Sequence, residues 1–328
     1  MANTANNINN ITEEKITGWS KSWHKGPLGD AVLDAVKANK DVVVLAADLA
    51  KAVGVYECIE YEGQYFNFGI CEQNMISIAC GLAKEGKIPV ATSFVPFIAL
   101  RALEQIRTGA AYMNLNVKMI GTNAGLRGGK AGTSHYGLED ITVMRSIPGM
   151  TVLSPSDGLC MYKAIRAMIE CPGPAYLRVA GLPQMPILYK SDFDFEIGKA
   201  IRLRDGDDVV MFATGPMVGR ALEAAEALEG KGVDAGVFDV HTIKPLDRQA
   251  VLDAAQKARL VVTLEENTAV GGLGGAVAEL MAQSDTKARL KILGIIDQFM
   301  EIATYEDQLQ KCGLLPEQIA ETIRQELG

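Results

Sequence analysis

Short, strongly apolar runs alternate with longer stretches rich in Ala, Leu and Glu along most of this sequence. Continuous apolar runs of this length are typical of strands buried on both faces of a parallel sheet, and the stretches between them have helical spacing. In the first half of the chain the pattern predicts strands at 41–46, 88–94, 117–122, 150–155 and 175–180, and helices at 73–83, 99–112 and 158–169. This alternation predicts a doubly wound α/β domain.

A second α/β series follows a stretch of low periodicity that contains prolines. It predicts strands at 208–215, 234–243, 259–267 and 291–296, and helices at 218–229, 247–257 and 275–282. We therefore expect two doubly wound domains, at 25–181 and 195–328, joined by a linker at 182–194. Residues 1–24 are polar and show little periodicity, so we expect them to form an arm that is flexible or clasps a partner.

Composition narrows the class of protein. The chain has 328 residues, of which 48% are hydrophobic and 22% charged, as in soluble globular proteins. The net charge of −8 provides no basic stripe for nucleic acid, so nucleic acid is not an expected partner. Six cysteines without a C-x-x-C pair, and only three histidines, favour reduced thiols over disulfides or a metal cage. With no targeting peptide and no bilayer-spanning apolar run, we expect a cytoplasmic protein that does not enter membranes.

Glu72 is the first candidate for chemistry, because it opens an otherwise apolar predicted helix at a place where α/β sheets bind ligands. An acidic residue there is ordinarily a helix cap. However, its surroundings, NFGICEQNMISIACGLA at 67–83, resemble a segment shared by transketolases, deoxyxylulose-phosphate synthases and the β subunits of 2-oxoacid dehydrogenases. These families use thiamine diphosphate. The resemblance implies that Glu72 hydrogen-bonds N1′ of the aminopyrimidine and so favours the imino tautomer that accepts the C2 proton.

Two further segments carry the same resemblance. The stretch 91–107 contains Phe94 and Phe97, which core packing alone could explain. The resemblance implies that Phe97 stacks on the aminopyrimidine with Phe94 beside it, and the run RALEQIR matches two-subunit transketolases. The glycine-rich stretch 121–141 resembles a transketolase loop ending in a histidine, which implies that His135 faces the substrate carbonyl and donates to it as charge develops. Asp48 matches an aspartate near the cofactor, although strand-end aspartates also cap helices.

The sequence departs from the family at positions that contact the substrate. The implied substrate-binding residues beside His135 are Asn123, which replaces a histidine, and Arg178, which is expected to hold a phosphate or sulfonate. Four more positions differ from the family's polar or charged residues: Gly26, Ala52, Lys130 and Ala131. We therefore expect sugar substrates other than the usual pentose phosphates. This interpretation fails if xylulose 5-phosphate and ribose 5-phosphate prove to be the best substrates.

One motif is missing. Enzymes of these families anchor the cofactor diphosphate through Mg²⁺ bound by Gly-Asp-Gly and a later Asn, and the sequence contains no Gly-Asp-Gly. The resemblance covers about 26–328. It therefore implies a split transketolase in which thiamine diphosphate lies between this chain and an N-terminal partner that holds Mg²⁺, in an α₂β₂ assembly. We expect the complex to move a two-carbon ketol unit from a ketose to an aldose.

Other interpretations stay open. The run LEENTAVGGLGGAV at 264–277 does not complete a dinucleotide fingerprint, because Val277 stands where a third glycine is needed. Together with His241, it matches the transketolase C-terminal domain, which implies structural roles.

A deoxyxylulose-phosphate synthase usually contains Gly-Asp-Gly in one chain, and a dehydrogenase β subunit typically lacks the loop ending in His135. A non-catalytic homologue is the third alternative, against which Glu72, Phe97 and His135 argue.

Overall fold

The computed structural model of the protein describes residues 11–180 and 185–328. The first half contains α1 (Glu13–Lys21), α2 (Lys25–Ala38), β1 (Val42–Ala46), α3 (Ala50–Val53), β2 (Tyr65–Asn67), α4 (Glu72–Lys84), β3 (Ile88–Phe94), α5 (Leu103–Gln105), β4 (Lys118–Ala124), α6 (Asp140–Ser146), β5 (Thr151–Leu153), α7 (Gly158–Glu170) and β6 (Ala175–Ala180). Two turns of π-helix, Pro96–Arg101 and Ile106–Ala111, flank α5. Short 3₁₀ segments lie at Tyr56–Glu60 and Gly125–Ala131.

The second half contains β7 (Ile201–Arg204), β8 (Val209–Ala213), α8 (Met217–Glu229), β9 (Ala235–Asp239), β10 (Thr242–Lys244), α9 (Arg248–Lys257), β11 (Leu260–Thr268), α10 (Leu273–Ala282), β12 (Arg289–Ile295), α11 (Tyr305–Lys311) and α12 (Pro316–Leu327). Across the two described ranges, no helix has both the length and the apolar character needed to cross a membrane.

Two sheets organise these elements. The first has seven strands in the order β10-β5-β6-β4-β3-β1-β2, all parallel except β10, which runs antiparallel to β5. The second has five strands in the order β12-β11-β8-β9-β7, all parallel except β7. The predicted fold of two doubly wound α/β domains is confirmed, with an antiparallel strand added at one edge of each sheet.

Burial on both faces explains why the strands of the first sheet read as continuous apolar runs. Every residue of β1 is buried. Successive side chains of a strand point to opposite faces. Val43 and Leu45 accordingly join the core under α4, whereas Val42 and Val44 join the core under α2 and α7.

The strand predicted at 234–243 is in fact two strands in different sheets. β9 pairs with β8 in the second sheet, whereas β10 leaves it and pairs with β5 of the first sheet. The change of sheet occurs at Val240 and His241, where the amide of Val240 donates to the Ala213 carbonyl and the His241 carbonyl accepts from the amide of Ser154. An unbroken apolar pattern could not reveal this change of partner. As a result, a strand from the second half of the chain completes the edge of the first sheet.

The described part of the N-terminal arm contains a helix that packs on the first domain. Residues 11–24 contain α1, where Thr12 caps the helix by accepting from the Lys15 amide. Trp19 is buried, stacks on Tyr162 with ring centroids 5.0 Å apart, and donates to Asp30 Oδ2 at 2.7 Å. Only Ile16 and Trp19 of this helix join the hydrophobic core, and two apolar residues in a polar stretch give too weak a periodic signal to predict a helix. Residues 1–10, the rest of the expected arm, lie outside the described residues.

The expected linker packs over the junction between the two sheets. Of its residues, 182–184 lie outside the described ranges, and 185–194 contain no helix or strand. The amides of Leu188 and Tyr189 both donate to Asp157 Oδ2 at 2.9 Å, and the Tyr189 hydroxyl donates to Asp239 Oδ2 at 2.8 Å. This stretch therefore connects the first domain, through Asp157, to the end of β9.

The glycine run at 271–275 forms the start of α10, which the Glu265 side chain caps. The Glu265 carboxylate accepts from the amides of Leu273 and Gly274 at 2.8 Å each, at the start of α10. A Cβ atom at Gly272 would lie 1.9 Å from Glu265 Oε2, so a side chain there would displace the cap. Burial raises the pKa of Glu265 to about 7. The buried Glu265 carboxylate and the start of α10 satisfy each other, because the first amides of the helix supply the donors that the carboxylate needs.

Candidate functional site

The loops at the carboxyl edge of the first sheet contain most of the predicted site residues. Strand β3 lies between β4 and β1, so the ends of these three strands are neighbours. Asp48 follows β1 and Asn123 lies near the end of β4, and both have a φ of 59°. A left-handed backbone is uncommon outside glycine and tends to cluster at functional sites. The Asp48 amide donates to Asn67 Oδ1 at 3.0 Å, which ties the β1 loop to the segment that leads into α4.

Glu72 is the first residue of α4 and is only 1% exposed. Its Oε2 accepts from Arg101 Nη1 at 2.6 Å, and its Oε1 accepts a longer bond from Ser93 Oγ at 3.4 Å. Burial of Met75 and Ile76 holds the helix against the sheet, and with it the carboxylate. A buried carboxylate needs such partners, since an unpaired charge in this position would be strongly unfavourable.

Arg101 is the functional residue that the sequence reasoning did not single out. Its guanidinium lies over the Phe97 ring, 4.4 Å from the centroid, while it pairs with Glu72. The π-helical turn Pro96–Arg101 brings these two side chains together, and such turns are frequent at functional sites. Phe94 stacks on Phe97, with the two ring centroids 5.9 Å apart. A cation four residues after an aromatic in a helical stretch was the available signal.

His135 meets the same aromatic group by its edge. Its ring centroid lies 5.8 Å from that of Phe97 with the rings at 74°, and Nδ1 hydrogen-bonds with Ser134 Oγ at 2.8 Å. The loop that carries it is closed by the Gly125 amide, which donates to the Gly137 carbonyl at 2.9 Å. Because a Cβ at Gly137 would lie 1.9 Å from Val95 Cγ1, glycine is required where the loop packs on the residue that follows β3. The structure thus brings Phe94, Phe97 and His135 into contact, and Arg101 joins Glu72 to this group.

Arg178, which is predicted to hold the substrate's anionic group, is paired with groups of the chain itself in this structure. It is 1% exposed, and its Nε donates to both carboxylate oxygens of Asp140 at 3.1 Å. Its Nη2 donates to the Glu266 carbonyl at 2.5 Å and contacts the Gly137 carbonyl at 3.4 Å. A guanidinium used in this way supports the fold, because its charge is paired with a buried carboxylate of the chain. The sequence shows the charge but not that the chain itself supplies the partners.

Glu266 in β11 connects the second domain to the loop of His135. Its Oε1 accepts from the Leu126 amide at 2.6 Å and its Oε2 from the Tyr305 hydroxyl at 2.7 Å. Burial raises the pKa of Glu266, and these donors act against that rise. A glutamate within a buried strand was the only sign of this role in the sequence. Together with Arg178, Glu266 ties both the start and the end of the loop to the second domain.

The position between the Glu72 carboxylate and the Phe97 ring fits an aminopyrimidine. The guanidinium of Arg101 shows that a flat group with N–H donors can stack on Phe97 and bond the Glu72 carboxylate at the same time. An aminopyrimidine has the same flat shape and a ring nitrogen that can share a proton with a carboxyl group. Arg101 and such a ring would contend for one position. Among the residues at 11–180 and 185–328, no three His, Cys, Asp or Glu side chains are grouped to hold a metal ion.

Comparison with known families assigns both halves of the chain. Residues 22–180 match "Transketolase, pyrimidine binding domain" and residues 198–319 match "Transketolase, C-terminal domain". The fold and the site therefore define a transketolase-type α/β protein. The chain belongs to the transketolase family, in which it corresponds to the C-terminal subunit of the split, two-subunit type.

Three relatives illustrate this assignment. The "6-deoxy-6-sulfo-D-fructose transketolase subunit SqwH" of Clostridium sp. strain MSTE9 is 39% identical over 90% of this chain and 92% of its own length. An apulose-4-phosphate transketolase subunit of Phocaeicola vulgatus is 34% identical over 89% of this chain and 94% of its own. A solved structure described as "Split gene transketolase, inactive beta4 tetramer" superposes with a TM-score of 0.83 at 34% identity, covering 93% of this chain and 98% of that one.

Exchange of Arg101 for Leu tests the contact with Glu72. We expect Arg101→Leu to lower the free energy of unfolding of the chain by about 1–3 kcal/mol, because a buried carboxylate loses its charged donor. In a Glu72→Gln background the same exchange should cost clearly less, and urea denaturation of the four proteins of this cycle measures the difference. Arg107→Leu, at an exposed arginine of the next π-helical turn, is the control. Equal costs in both backgrounds would contradict the pairing.

Exchange of Arg178 for Met tests its structural role. We expect a loss of about 3–5 kcal/mol of unfolding free energy, because Asp140 is left buried without its cation. The matched control is Arg204→Met, which removes a pair with the exposed Glu229 and should cost less than about 1 kcal/mol. If Arg178→Met is too unstable to purify, the double variant with Asp140→Asn should recover part of the loss. Similar costs for Arg178→Met and Arg204→Met would contradict the role.

Proposed function

We propose that this chain is the pyrimidine-binding subunit of a transketolase that depends on thiamine diphosphate and Mg²⁺. The complex moves a two-carbon ketol unit from a ketose with an anionic group to an aldose acceptor. The observation that carries the proposal is the position of Glu72, a buried carboxylate whose donor, Arg101, lies over the Phe97 ring. This geometry is what a proton-sharing contact with a stacked aminopyrimidine requires.

Four residues of this chain would hold the pyrimidine. Glu72 would share a proton with the ring nitrogen, and Ser93 would keep the carboxyl group oriented from the β3 side. Phe97 would stack on the ring, and Phe94 supports Phe97 from its neighbouring position. Asp48, exposed at the end of β1, is proposed to face the cofactor as well. When bound, the cofactor supplies the carbon nucleophile for the ketose carbonyl.

His135 and Asn123 are proposed to act on the sugar. His135 is exposed and its ring borders Phe97, so its remaining nitrogen could donate to the substrate oxygen on which charge develops. Asn123 is held in a left-handed backbone at the end of β4, where its amide could hydrogen-bond a sugar hydroxyl. His135 lies on the segment that Arg178 and Glu266 tie to the second domain, and Asn123 lies in β4 just before that segment.

An N-terminal partner subunit is proposed to complete the site. The sequence contains no Gly-Asp-Gly, so the oxygen ligands for Mg²⁺ and the diphosphate are assigned to that partner. The relatives named as subunits support an enzyme divided between two chains, and we propose an α₂β₂ assembly. The sugars in their names carry a sulfonate in one case and a phosphate in the other, which supports an anionic donor without selecting its class.

The exchange Glu72→Gln tests the proposal. In a complex reconstituted with the N-terminal subunit, thiamine diphosphate and Mg²⁺, we expect ketol transfer to fall by at least about 10²-fold, since the amide cannot share a proton with the ring. Glu321→Gln, at an exposed carboxylate of α12, is the control. Size-exclusion chromatography should show that both variants still assemble. Unchanged turnover of an assembled Glu72→Gln complex would overturn the proposed role, and ketol transfer by the wild-type chain alone would overturn the need for a partner.

A further inference from the structure

The loop that carries His135 places its apolar side chains in the core of the second domain. Leu126, Tyr136 and Leu138 are buried in a hydrophobic cluster whose other buried members, among the described residues, all lie between 209 and 323. Those members come from strands and helices of the second domain, such as β8, α8, β11 and α12. The loop therefore leaves the first sheet at β4 but packs as part of the second domain.

Tyr136, the residue after His135, attaches the turn around His135 to that core. Its ring is 3% exposed, and its hydroxyl donates to the Met300 carbonyl of the second domain at 3.1 Å. The same hydroxyl can accept from Thr133 Oγ1, 3.2 Å away, and the His135 amide donates to the Gly132 carbonyl at 3.0 Å. One phenol group thus joins this turn to the segment that follows β12.

The backbone on both sides of the turn bonds the second domain as well. The Leu126 amide donates to Glu266 Oε1 at 2.6 Å, and the Leu138 carbonyl accepts from the Thr268 amide at 2.7 Å. The His135 imidazole is exposed, by contrast, so its place is set by its neighbours in the chain and not by its own burial. The attachment nearest to it in sequence is the phenol of the next residue, and the position of the imidazole should be most sensitive to that contact.

We propose that Tyr136 is a positioning residue for His135. The bond from its hydroxyl to Met300 holds the turn so that the imidazole meets the Phe97 ring edge-on, with the ring centroids 5.8 Å apart. A displacement of about 1 Å in a group that acts on the reacting atoms can cost about 10²-fold in rate. The second domain therefore contributes to turnover through a loop of the first domain, beyond the structural role expected for it from the sequence.

The positioning role rests on the proposed function, because it requires His135 to donate to the substrate oxygen, whereas the attachment of the loop to the second domain does not. Tyr136→Phe tests both, since it keeps the ring in the core and removes the hydroxyl alone. The matched control is Tyr189→Phe. The Tyr189 hydroxyl also bonds an acceptor of the second domain, Asp239 Oδ2, but its ring belongs to the core under α2 and α7.

Amide hydrogen exchange of the full chain tests the attachment without any enzymatic turnover. In Tyr136→Phe we expect the amides of 131–137 to exchange at least about tenfold faster than in wild type, because the turn loses its bond to the second domain. Tyr189→Phe should leave these amides at wild-type rates. Wild-type rates in Tyr136→Phe, or the same acceleration in both variants, would overturn the attachment.

Steady-state kinetics of the complex reconstituted with the N-terminal subunit, thiamine diphosphate and Mg²⁺ test the positioning role. The probe is the phosphorylated or sulfonated ketose that the wild-type complex turns over fastest. We expect Tyr136→Phe to lower kcat at least about tenfold and to leave KM within about twofold of wild type, because the lost contact acts in the transition state. Tyr189→Phe should keep both constants. In a His135→Ala background, Tyr136→Phe should change the remaining kcat less than about twofold, since the group that it positions is gone.

A loss of kcat of equal size in both backgrounds would overturn the positioning role, because Tyr136 would then act on the fold and not through His135. Wild-type kcat in Tyr136→Phe, with His135→Ala impaired, would overturn it too and leave the proposed function standing. No ketol transfer by the wild-type complex would instead overturn the proposed function, and unchanged kcat in His135→Ala would overturn the proposed role of His135. The positioning role would fall with either, whereas faster exchange at 131–137 would still establish the attachment of the loop.

Discussion

The buried pair between Arg178 and Asp140 is the interaction on which the arrangement of the site depends. Arg178 lies in β6 of the first sheet, yet its guanidinium also donates to the Glu266 carbonyl of the second domain. Asp140 holds the Tyr176 hydroxyl at 2.8 Å as well. Desolvating a charge is costly, and the cost is offset only when the geometry satisfies both partners. This pair therefore fixes one position of the second domain against the loop that carries His135.

The ion pair in the candidate site, between Glu72 and Arg101, is only partly buried, unlike the pair between Arg178 and Asp140. Glu72 is inaccessible, whereas the Arg101 side chain is 43% exposed and can leave without crossing the core. The carboxylate is thus held by a partner from the solvent side, in contrast to the closed network around Arg178. The two arginines differ in what surrounds them, and this decides that one supports the fold and the other borders the proposed cofactor position.

Patterns of apolar residues were enough to predict the fold class, since strands buried on both faces produce continuous runs such as β1 and β8. They could not locate α1, in which only Ile16 and Trp19 join the hydrophobic core, or the change of sheet between β9 and β10. Glu72, Phe97 and His135 could be predicted as site residues because each lies in a motif that is contained within one continuous segment of the sequence. The roles of Arg101, Arg178 and Glu266 depend on partners that are distant in sequence, and no local pattern records them.

Glu72 and Phe97 are proposed to bind the pyrimidine of thiamine diphosphate. The most direct measurement is a crystal structure of the chain assembled with its N-terminal subunit, the cofactor and Mg²⁺. We expect a Glu72 carboxyl oxygen within about 3 Å of the pyrimidine ring nitrogen, Phe97 stacked on the ring, and Arg101 displaced from its contact with Glu72. A cofactor bound elsewhere, with the Arg101 to Glu72 pair intact, would contradict it.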